Sequence, residues 1–209
     1  MGKPDDTTAC VPGLRDLYGE STTLARLKQL DRLDTHCRNF IAHSPFLMMA
    51  SAGANGALDA SPRGDAPGFV AVEDDRSLLI PDRPGNNRLD TLSNLQANPE
   101  VGLIFLIPGV DETLRVNGRA ELVADSAVLV TLAAQGKLPK SAVRVRVREA
   151  FLHCGKALKR SRLWSEDYKV AKGTIPSLGR MIVEQVKPPG VSVEEAEQRV
   201  EESYRTRMY

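Results

Sequence analysis

The residues with the clearest chemical potential lie in one segment, Ile80–Pro99, which reads IPDRPGNNRLDTLSNLQANP. A strand-like run ends at Pro81, a tight turn follows, and the pattern then predicts a helix that opens with Asn86, Asn87 and Arg88 and ends at Pro99. The first N–H groups of a helix lack partners and the helix dipole is positive there, so this position suits an anion. The guanidinium of Arg88 adds planar donors that match a phosphate. The sequence therefore predicts an anion site, and the number of donors favours a phosphate-bearing cofactor.

Three other positions allow both a binding and a structural interpretation. Arg63 lies near a predicted turn and can bind a phosphate or form a surface salt bridge. Asp82 and Arg83 can contribute to the anion site or simply pair with each other. The strand segment 117–119 has Gly118 at its centre, where a ligand can approach the backbone closely or a β-bulge can form.

The remaining reactive side chains give weaker signals. His153 and Cys154 are adjacent, but neither has a second ligand or a catalytic partner at a fitting spacing. We expect structural roles for both, although His153 could line a site. A basic stripe of period two, at 144, 146 and 148, favours an exposed strand face paired with acidic residues over a surface for an anionic substrate or nucleic acid. No metal-binding motif is evident.

Composition excludes several classes of protein. The chain has 209 residues, 42% of them hydrophobic, with a formal net charge of +1, which argues against general nucleic-acid binding. No apolar run approaches the roughly 20 residues of a membrane span, and the polar N-terminal segment lacks the apolar core of a secretory signal. Three widely spaced cysteines, Cys10, Cys37 and Cys154, match neither a disulfide framework nor a zinc motif. These features favour a reduced, cytoplasmic protein.

The elements that must position these residues are mostly strands. Asn55-Gly56 between two apolar runs predicts a hairpin with a type I′ turn, and a second hairpin is predicted around the polar turn at 73–76. Further strands are predicted at 101–107, 113–123 and 143–153, with a short helix between the last two that Asp125 caps and Gly136 ends. At least six strands in hairpins and meanders favour an antiparallel barrel with peripheral helices over a doubly wound parallel sheet.

Apolar residues at helical spacing occur mainly towards the two ends of the chain. Apolar residues recur at helical intervals over 21–41, and further helical pieces are predicted near 156–162, 177–186 and 193–205. We therefore divide the chain into an N-terminal helical region at 1–42, a barrel at 43–165 and a C-terminal helical extension at 166–209. The extension is expected to be a mobile or partner-bound arm.

This order of elements resembles the pyridoxamine 5′-phosphate oxidase-like superfamily, whose members share the FMN-binding split barrel. The resemblance covers roughly 40–164 and is densest in four segments: ASPRG at 60–64, IPDRPGNNRLDTLSNLQANPEVGLIFL at 80–106, LRVNGRAEL at 114–122 and FLHCGKALKRSRLW at 151–164. The last segment resembles the signature of a subgroup of FMN-dependent enzymes. The resemblance implies a mainly β (α+β) fold, an antiparallel split β-barrel with flanking helices, and FMN as the cofactor.

The resemblance also implies where the cofactor lies. In such proteins FMN occupies a groove between the protomers of a homodimer, so its phosphate would contact Arg88 and Arg63, and the strand at 80–83 would run beside the isoalloxazine ring. Lys156 and Trp164 would close the site of the other protomer, although Trp164 can equally be a core or interface anchor. The implied cofactor-binding residues are Ser61, Arg63, Gly64, Ile80, Pro81, Asp82, Arg83, Asn87, Arg88, Asn117, Arg119, Lys156 and Trp164. No catalytic residue can be named.

The chain departs from the superfamily pattern in two places. In the superfamily this helix often starts with Ser-Arg-Lys, whereas in this chain it starts with Asn87-Arg88-Leu89. A second phosphate cation must therefore come from another part of the chain. The paired arginines that follow a tryptophan in true pyridoxamine phosphate oxidases are not clearly present after Trp164. We therefore do not expect pyridoxal phosphate synthesis.

The function that the resemblance implies is an FMN-dependent oxidoreductase with an unidentified small-molecule substrate. The flavin would exchange a hydride, and the protein would bind and orient it. Two alternatives remain open: a flavin- or haem-binding module without turnover, and a deazaflavin-dependent reductase on the same barrel. Haem binding on this fold generally needs an axial histidine, and none of the three histidines, His36, His43 and His153, lies in the C-terminal tail. A deazaflavin would need room and charge for a longer phosphate-bearing tail.

Overall fold

The structure is a computed structural model that describes residues 13–209. Cys10 and the start of the predicted N-terminal helical region at 1–42 lie outside this range. The strands are β1 (Phe46–Ala52), β2 (Leu58–Gly64), β3 (Ala71–Val72), β4 (Ser77–Pro81), β5 (Glu100–Leu106), β6 (Thr113–Val123) and β7 (Ala142–His153). The helices are α1 (Leu14–Tyr18), α2 (Thr23–Leu27), α3 (Thr35–His43), α4 (Asp90–Ala97), α5 (Ser126–Val130), α6 (Lys156–Ser161), α7 (Leu178–Val186) and α8 (Val193–Thr206), with a 3₁₀ turn at Glu166–Tyr168.

The seven strands form one antiparallel sheet in the order β2-β1-β5-β6-β7-β4-β3. The outermost strands of this order, β2 and β3, are not paired with each other, so the sheet is not closed. The fold is therefore the antiparallel split barrel with flanking helices that the sequence predicted. All seven strands lie within the predicted barrel at 43–165, although the segment boundaries themselves stay predictions.

One hydrophobic core holds the sheet and the preceding helix together. Along β5, Val101, Leu103 and Phe105 are buried at alternate positions, as expected for a strand with one face against the core. Cys37 and Ile41 of α3 pack into the same cluster. A smaller cluster, formed by Leu79, Val123, Leu129, Leu132 and Ala142, packs α5 against the end of the sheet near β4.

The first predicted hairpin is present, but its predicted type I′ turn is wrong. Ala52 pairs with Leu58, which leaves a five-residue loop at 53–57. Within the pair Asn55-Gly56 only Gly56 has a positive φ, of 79°, whereas a type I′ turn needs two such residues. The side chain of Asn55 instead accepts a hydrogen bond from the backbone N–H of Ala57, which stabilises the longer loop.

Two predicted helical stretches are shorter in the structure. The region 21–41 is interrupted where Leu30 pairs with Ala150 of β7, and α3 starts only after Asp34, whose carboxylate accepts a hydrogen bond from the N–H of Cys37. Asp125 caps α5 as predicted, but α5 ends at Val130, and Gly136 belongs to a separate turn. No helix within residues 13–209 is long and apolar enough to cross a membrane.

Candidate functional site

A groove of about 450 Å³ opens beside β2, between the end of β4 and the start of α4. This volume lies in the range of small-molecule and cofactor sites, roughly 300–1,000 Å³. The groove brings together most of the site residues that the sequence predicted, namely Ser61, Arg63, Gly64, Pro81, Asp82, Arg83, Asn87 and Arg88. Residues distant in sequence thus line one cavity, because β2 and the segment after β4 approach each other across the opening of the barrel.

Three other predicted residues of the sheet do not line this groove. Ile80 points into the core and is 1% exposed. On β6, the amide of Asn117 donates a hydrogen bond to Glu149 at 2.7 Å, and Arg119 forms an ion pair with Glu100 at 3.1 Å. Within one protomer these β6 side chains contact neighbouring strands rather than the groove.

The two predicted residues that follow β7 also lie away from the groove of their own protomer. Lys156 is the first residue of α6, and the indole N–H of Trp164 donates a hydrogen bond to the backbone carbonyl of Val110 at 2.9 Å. The prediction that Lys156 and Trp164 close the groove of a second protomer requires an assembly and stays a prediction.

The helix that borders the groove begins later than the sequence predicted. Asn87 and Leu89 have positive φ values of 56° and 63°, so the helix cannot run through 86–88, and α4 starts at Asp90. A leucine in the left-handed region costs of order 1–3 kcal/mol and persists only where its surroundings hold it. No side chain caps the N-terminus of α4. The free N–H groups of this helix end therefore lie at about 90–92 rather than at 86–88, and their binding of an anion stays a prediction.

Arg88 projects into solvent at the rim of the groove and is paired with an acid. Its Nε lies 2.7 Å from Oδ2 of Asp90, and its side chain is 72% exposed. Hydrogen bonding to Asp90, together with the carboxylate charge, raises the pKa of Arg88. Exposed ion pairs are weak, so an incoming dianion can compete with Asp90 for this guanidinium.

Arg63 forms the inner, more buried cation of the groove. Its Nη1 donates hydrogen bonds to Oγ of Ser61 at 2.5 Å and to the carbonyl of Pro62 at 2.9 Å. Burial lowers the pKa of Arg63, and the carboxylates of Asp82 and Asp59 act in the opposite direction. An anionic ligand would interact strongly with this partly desolvated guanidinium, because the guanidinium lacks full hydration in the free protein.

Two carboxylates balance these cations on the inside of the groove. Burial raises the pKa of Asp82, while the charges of Arg63 and Lys140 lower it. Asp59, which the sequence analysis missed, accepts a hydrogen bond from Oγ1 of Thr91 at 2.6 Å and ties β2 to α4. The sequence feature that could have identified Asp59 is the period of two along β2, which places positions 59, 61 and 63 on one face of the strand.

Arg83 lines the groove, but its guanidinium binds Asp65 and the backbone carbonyl of Leu132. Its Nε lies 2.6 Å from Oδ2 of Asp65, and both side chains are largely buried, at 15% and 4% exposure. Its Nη1 donates a second hydrogen bond to the carbonyl of Leu132 at 3.0 Å. The interpretation that Arg83 pairs with Asp82 is therefore wrong, and Arg83 acts as an anchor of the loop at 82–89.

The basic stripe on β7 is largely neutralised by acids. Arg144 contacts Glu73 at 2.8 Å and Glu121 at 3.0 Å, and Arg148 contacts Glu100 at 2.6 Å. These cross-strand pairs support the interpretation of an exposed strand face rather than an anion-binding surface.

The two described cysteines should differ sharply in reactivity. Cys154 is exposed, and a hydrogen bond from the backbone N–H of Lys156 lowers its pKa, whereas burial, followed by the effect of Asp34, raises the pKa of Cys37 to about 11. The thiolate is the nucleophile, so we expect Ellman's reagent to label Cys154 rapidly and Cys37 only on unfolding. The rate at Cys154 should rise with pH and level off below the ordinary thiol pKa.

The labelling is best measured in a Cys10→Ser background, which removes the third thiol. The Cys154→Ser variant in this background should lose the fast phase entirely. Rapid labelling of Cys37 in the native protein would contradict its burial.

Comparisons with known proteins place the chain in a family. Residues 33–154 match the family model described as pyridoxamine 5′-phosphate oxidase, which spans more than half of the chain. No curated protein sequence matches. Several solved structures are similar in fold at low sequence identity. HupZ from Group A Streptococcus is 19% identical, with 57% of this chain and 92% of that chain covered and a TM-score of 0.47.

Two further structures illustrate the range of these similarities. An FMN-binding protein from Syntrophomonas wolfei subsp. wolfei is 11% identical, with 56% of this chain and 81% of that chain covered and a TM-score of 0.44. An F420 reductase is 18% identical, with 56% of this chain and 94% of that chain covered and a TM-score of 0.40.

Proposed function

Because the chain belongs to the pyridoxamine 5′-phosphate oxidase family, we propose that it binds FMN in the groove beside β2 and acts as an FMN-dependent oxidoreductase. The observation that carries the proposal is the convergence of Arg63, Arg88 and the uncapped N-terminus of α4 on one groove of about 450 Å³. Two guanidinium groups and free helix N–H groups at one place suit a phosphate monoester.

The residues present fit the phosphate end of such a cofactor. Arg63 supplies a desolvated cation, and Ser61 beside it supplies a hydroxyl that can donate. Arg88 supplies the second cation when its guanidinium releases the carboxylate of Asp90 and binds the phosphate of the ligand. Arg63 of β2, which the resemblance implied as a phosphate contact, would then replace the cation that is missing from the Ser-Arg-Lys position.

The same groove has apolar lining that suits a flat, partly apolar ring. Phe69, Pro81 and Leu92 contribute this lining, and Asp82 also lines the groove. Burial raises the pKa of Asp82, so its carboxyl keeps its proton to a higher pH than an ordinary aspartate does. It is the side chain best suited to exchange a hydrogen bond or a proton with a ring heteroatom. Bound FMN would supply the hydride chemistry itself.

We further propose that the active form is a homodimer. The groove is open on one side, and Lys156 and Trp164 lie outside it in their own protomer. A second protomer that brings these two residues to the open side would exclude water from the ring. Size-exclusion chromatography with light scattering should give twice the mass of one chain, 22.8 kDa. A monomer at micromolar concentration would contradict this arrangement.

Replacing Arg88 by alanine should weaken FMN binding about ten- to a hundredfold, because a charge-assisted hydrogen bond to the phosphate is lost. Riboflavin, which lacks the phosphate, should bind the variant and the wild-type protein equally. The affinities are measured by flavin fluorescence quenching or by calorimetry.

Two variants make this test specific. Arg148→Ala removes an arginine of β7 that is similarly exposed and ion-paired but does not line the groove, and it should bind FMN like the wild type. Asp90→Asn should strengthen FMN binding, because it removes the carboxylate that competes with the phosphate for Arg88. Unchanged FMN affinity in Arg88→Ala would show that the phosphate site has been misplaced.

Turnover separates an enzyme from a cofactor-binding module. The FMN-loaded protein is mixed anaerobically with NADH or NADPH, and the loss of the oxidised flavin absorbance is followed. Reduction much faster than that of free FMN would support the oxidoreductase. No reduction by either donor, together with no reoxidation of chemically reduced bound FMN by a panel of acceptors, would contradict it while leaving FMN binding intact.

A further inference from the structure

We propose that the segment at 207–209, here called the C-terminal strap, positions the loop at 82–89 (the groove loop) through the side chain of Tyr209. The phenol of Tyr209 donates a hydrogen bond to Oδ1 of Asp65 at 2.6 Å. The other oxygen of the same carboxylate, Oδ2, accepts from Nε of Arg83 at 2.6 Å. Arg83 also lies over the Tyr209 ring, with its Cζ atom 5.8 Å from the ring centroid.

A second contact fixes the strap to the barrel. The backbone carbonyl of Tyr209 accepts a hydrogen bond from Nζ of Lys137 at 2.9 Å. Lys137 belongs to the turn that follows α5, close in sequence to Leu132, whose carbonyl binds Arg83. The strap, the region after α5 and the groove loop therefore contact one another around the guanidinium of Arg83.

The groove loop has few other anchors within residues 13–209. Its N-terminal end is held by the N–H of Asp82, which donates to the carbonyl of Ser141 at 2.9 Å. Further along, the N–H of Arg88 donates to the side chain of Asn86, a bond internal to the loop. Because Asn87 and Leu89 have positive φ, a regular helix does not stabilise this stretch. The placement of Asn87 and Arg88 in the groove therefore depends strongly on how firmly Arg83 is held.

Charge and burial make Tyr209 effective in this role. The side chain of Asp65 is 4% exposed, so hydrogen bonds from protein groups must replace the water that its carboxylate has lost. Burial alone would raise the pKa of Asp65, but the hydrogen bonds from Tyr209, the Ala66 N–H and Arg83 lower it. Without the phenol, one carboxylate oxygen loses a strong donor and the Asp65–Arg83 pair becomes free to shift.

The strap lies outside the part of the chain that the family model matches. The family match ends at residue 154, whereas the strap follows α8 and contacts the barrel from 144 residues away in sequence. Tyr209 does not line the groove, so we assign it as a positioning residue that acts through Asp65 and Arg83. The ordering of the groove loop is independent of the ligand, whereas its consequence for FMN affinity rests on the proposed function.

The first test uses the ligand-free protein. Tyr209→Phe removes only the hydroxyl, and Tyr204→Phe is the matched control, because Tyr204 is 62% exposed on α8. We expect the backbone ¹⁵N order parameters of residues 85–89 to fall in Tyr209→Phe, from values near a rigid ~0.85 towards a flexible ~0.6. Tyr204→Phe should leave them unchanged. Equal order parameters in the wild type and Tyr209→Phe would overturn the proposal.

The second test measures FMN and riboflavin binding by the same variants. Tyr209→Phe should weaken FMN binding roughly fivefold or more, the low end of typical coupling between two sites, and should leave riboflavin binding unchanged. Equal losses for both flavins, or a loosened loop with unchanged FMN affinity, would overturn the claim that Tyr209 positions the phosphate-binding groups. If the wild type ignores FMN but the loop still loosens in Tyr209→Phe, the proposed function fails and the strap stands.

Discussion

Replacing Gly118 by alanine should destabilise the protein by more than about 4 kcal/mol or prevent folding, the range of the most severe single substitutions. A Cβ at this position would lie 2.2 Å from the carbonyl oxygen of Arg146 and 3.0 Å from a methyl carbon of Val145. Both neighbours belong to β7, and the pairing of β6 with β7 shifts register between Asn117 and Gly118. Because these strands lie in the middle of the sheet, relief of the clash would break hydrogen bonds on both sides.

Equilibrium unfolding in urea measures this loss, and Gly85→Ala is its control. Gly85 has open space around its Cβ position and no positive φ, so alanine there should be neutral or slightly stabilising, by about 0.4–1 kcal/mol. A Gly118→Ala protein of wild-type stability would mean that the bulge has been misplaced. The bulge also decides between the two interpretations of Gly118, since the space beside it holds the Arg146 carbonyl rather than room for a ligand.

Replacing Asp65 by alanine should destabilise the protein by about 3–5 kcal/mol, the usual cost of removing one partner of a buried ion pair. The change leaves the guanidinium of Arg83 without its partner at 15% exposure and leaves Tyr209 without its acceptor. Urea unfolding at neutral pH measures the loss. Asp31→Ala provides a matched control, because Asp31 pairs with Arg76 at the same 2.6 Å but is 57% exposed, and its removal should cost far less.

The loss in Asp65→Ala should also depend on pH. The pKa of Asp65 is lowered in the folded protein, so its charge contributes stability above the unfolded value, near pH ~4. This contribution disappears as the pH falls through the lowered folded value, because the folded carboxylate then takes up its proton. The stability difference between wild type and Asp65→Ala should therefore shrink below about pH 4. A difference that stays constant into strong acid would contradict the ion pair.

Local patterns in the sequence predicted most of the sheet. Strand β6 was predicted at 113–123 and is found at Thr113–Val123, because alternation over many residues leaves little freedom of register. The structure brings the groove residues of β2 and of the segment after β4 together, and the sequence grouped them only through the family resemblance. Nothing in the local pattern of ASPRG indicates that it lies beside Arg88.

The errors have two physical causes. The start of α4 was misplaced because asparagine at 87 tolerates a left-handed backbone, and leucine at 89 adopts one although its residue type does not favour it. The pairing of Arg83 with Asp65, and of Asp65 with Tyr209, joins residues that are distant in sequence and follow no periodicity. Such contacts depend on how the elements pack, so they become visible only in three dimensions.

Titration of the purified protein with FMN and, in parallel, with riboflavin tests the central claim most directly. We predict tight uptake of one FMN per chain, a shift in the flavin absorption bands and markedly weaker binding of riboflavin, because we propose that Arg63 and Arg88 bind the phosphate. Riboflavin that binds as tightly as FMN, or a protein that ignores both flavins, would contradict the account. In the second case, F420 and haem would be titrated next to identify the ligand of the groove.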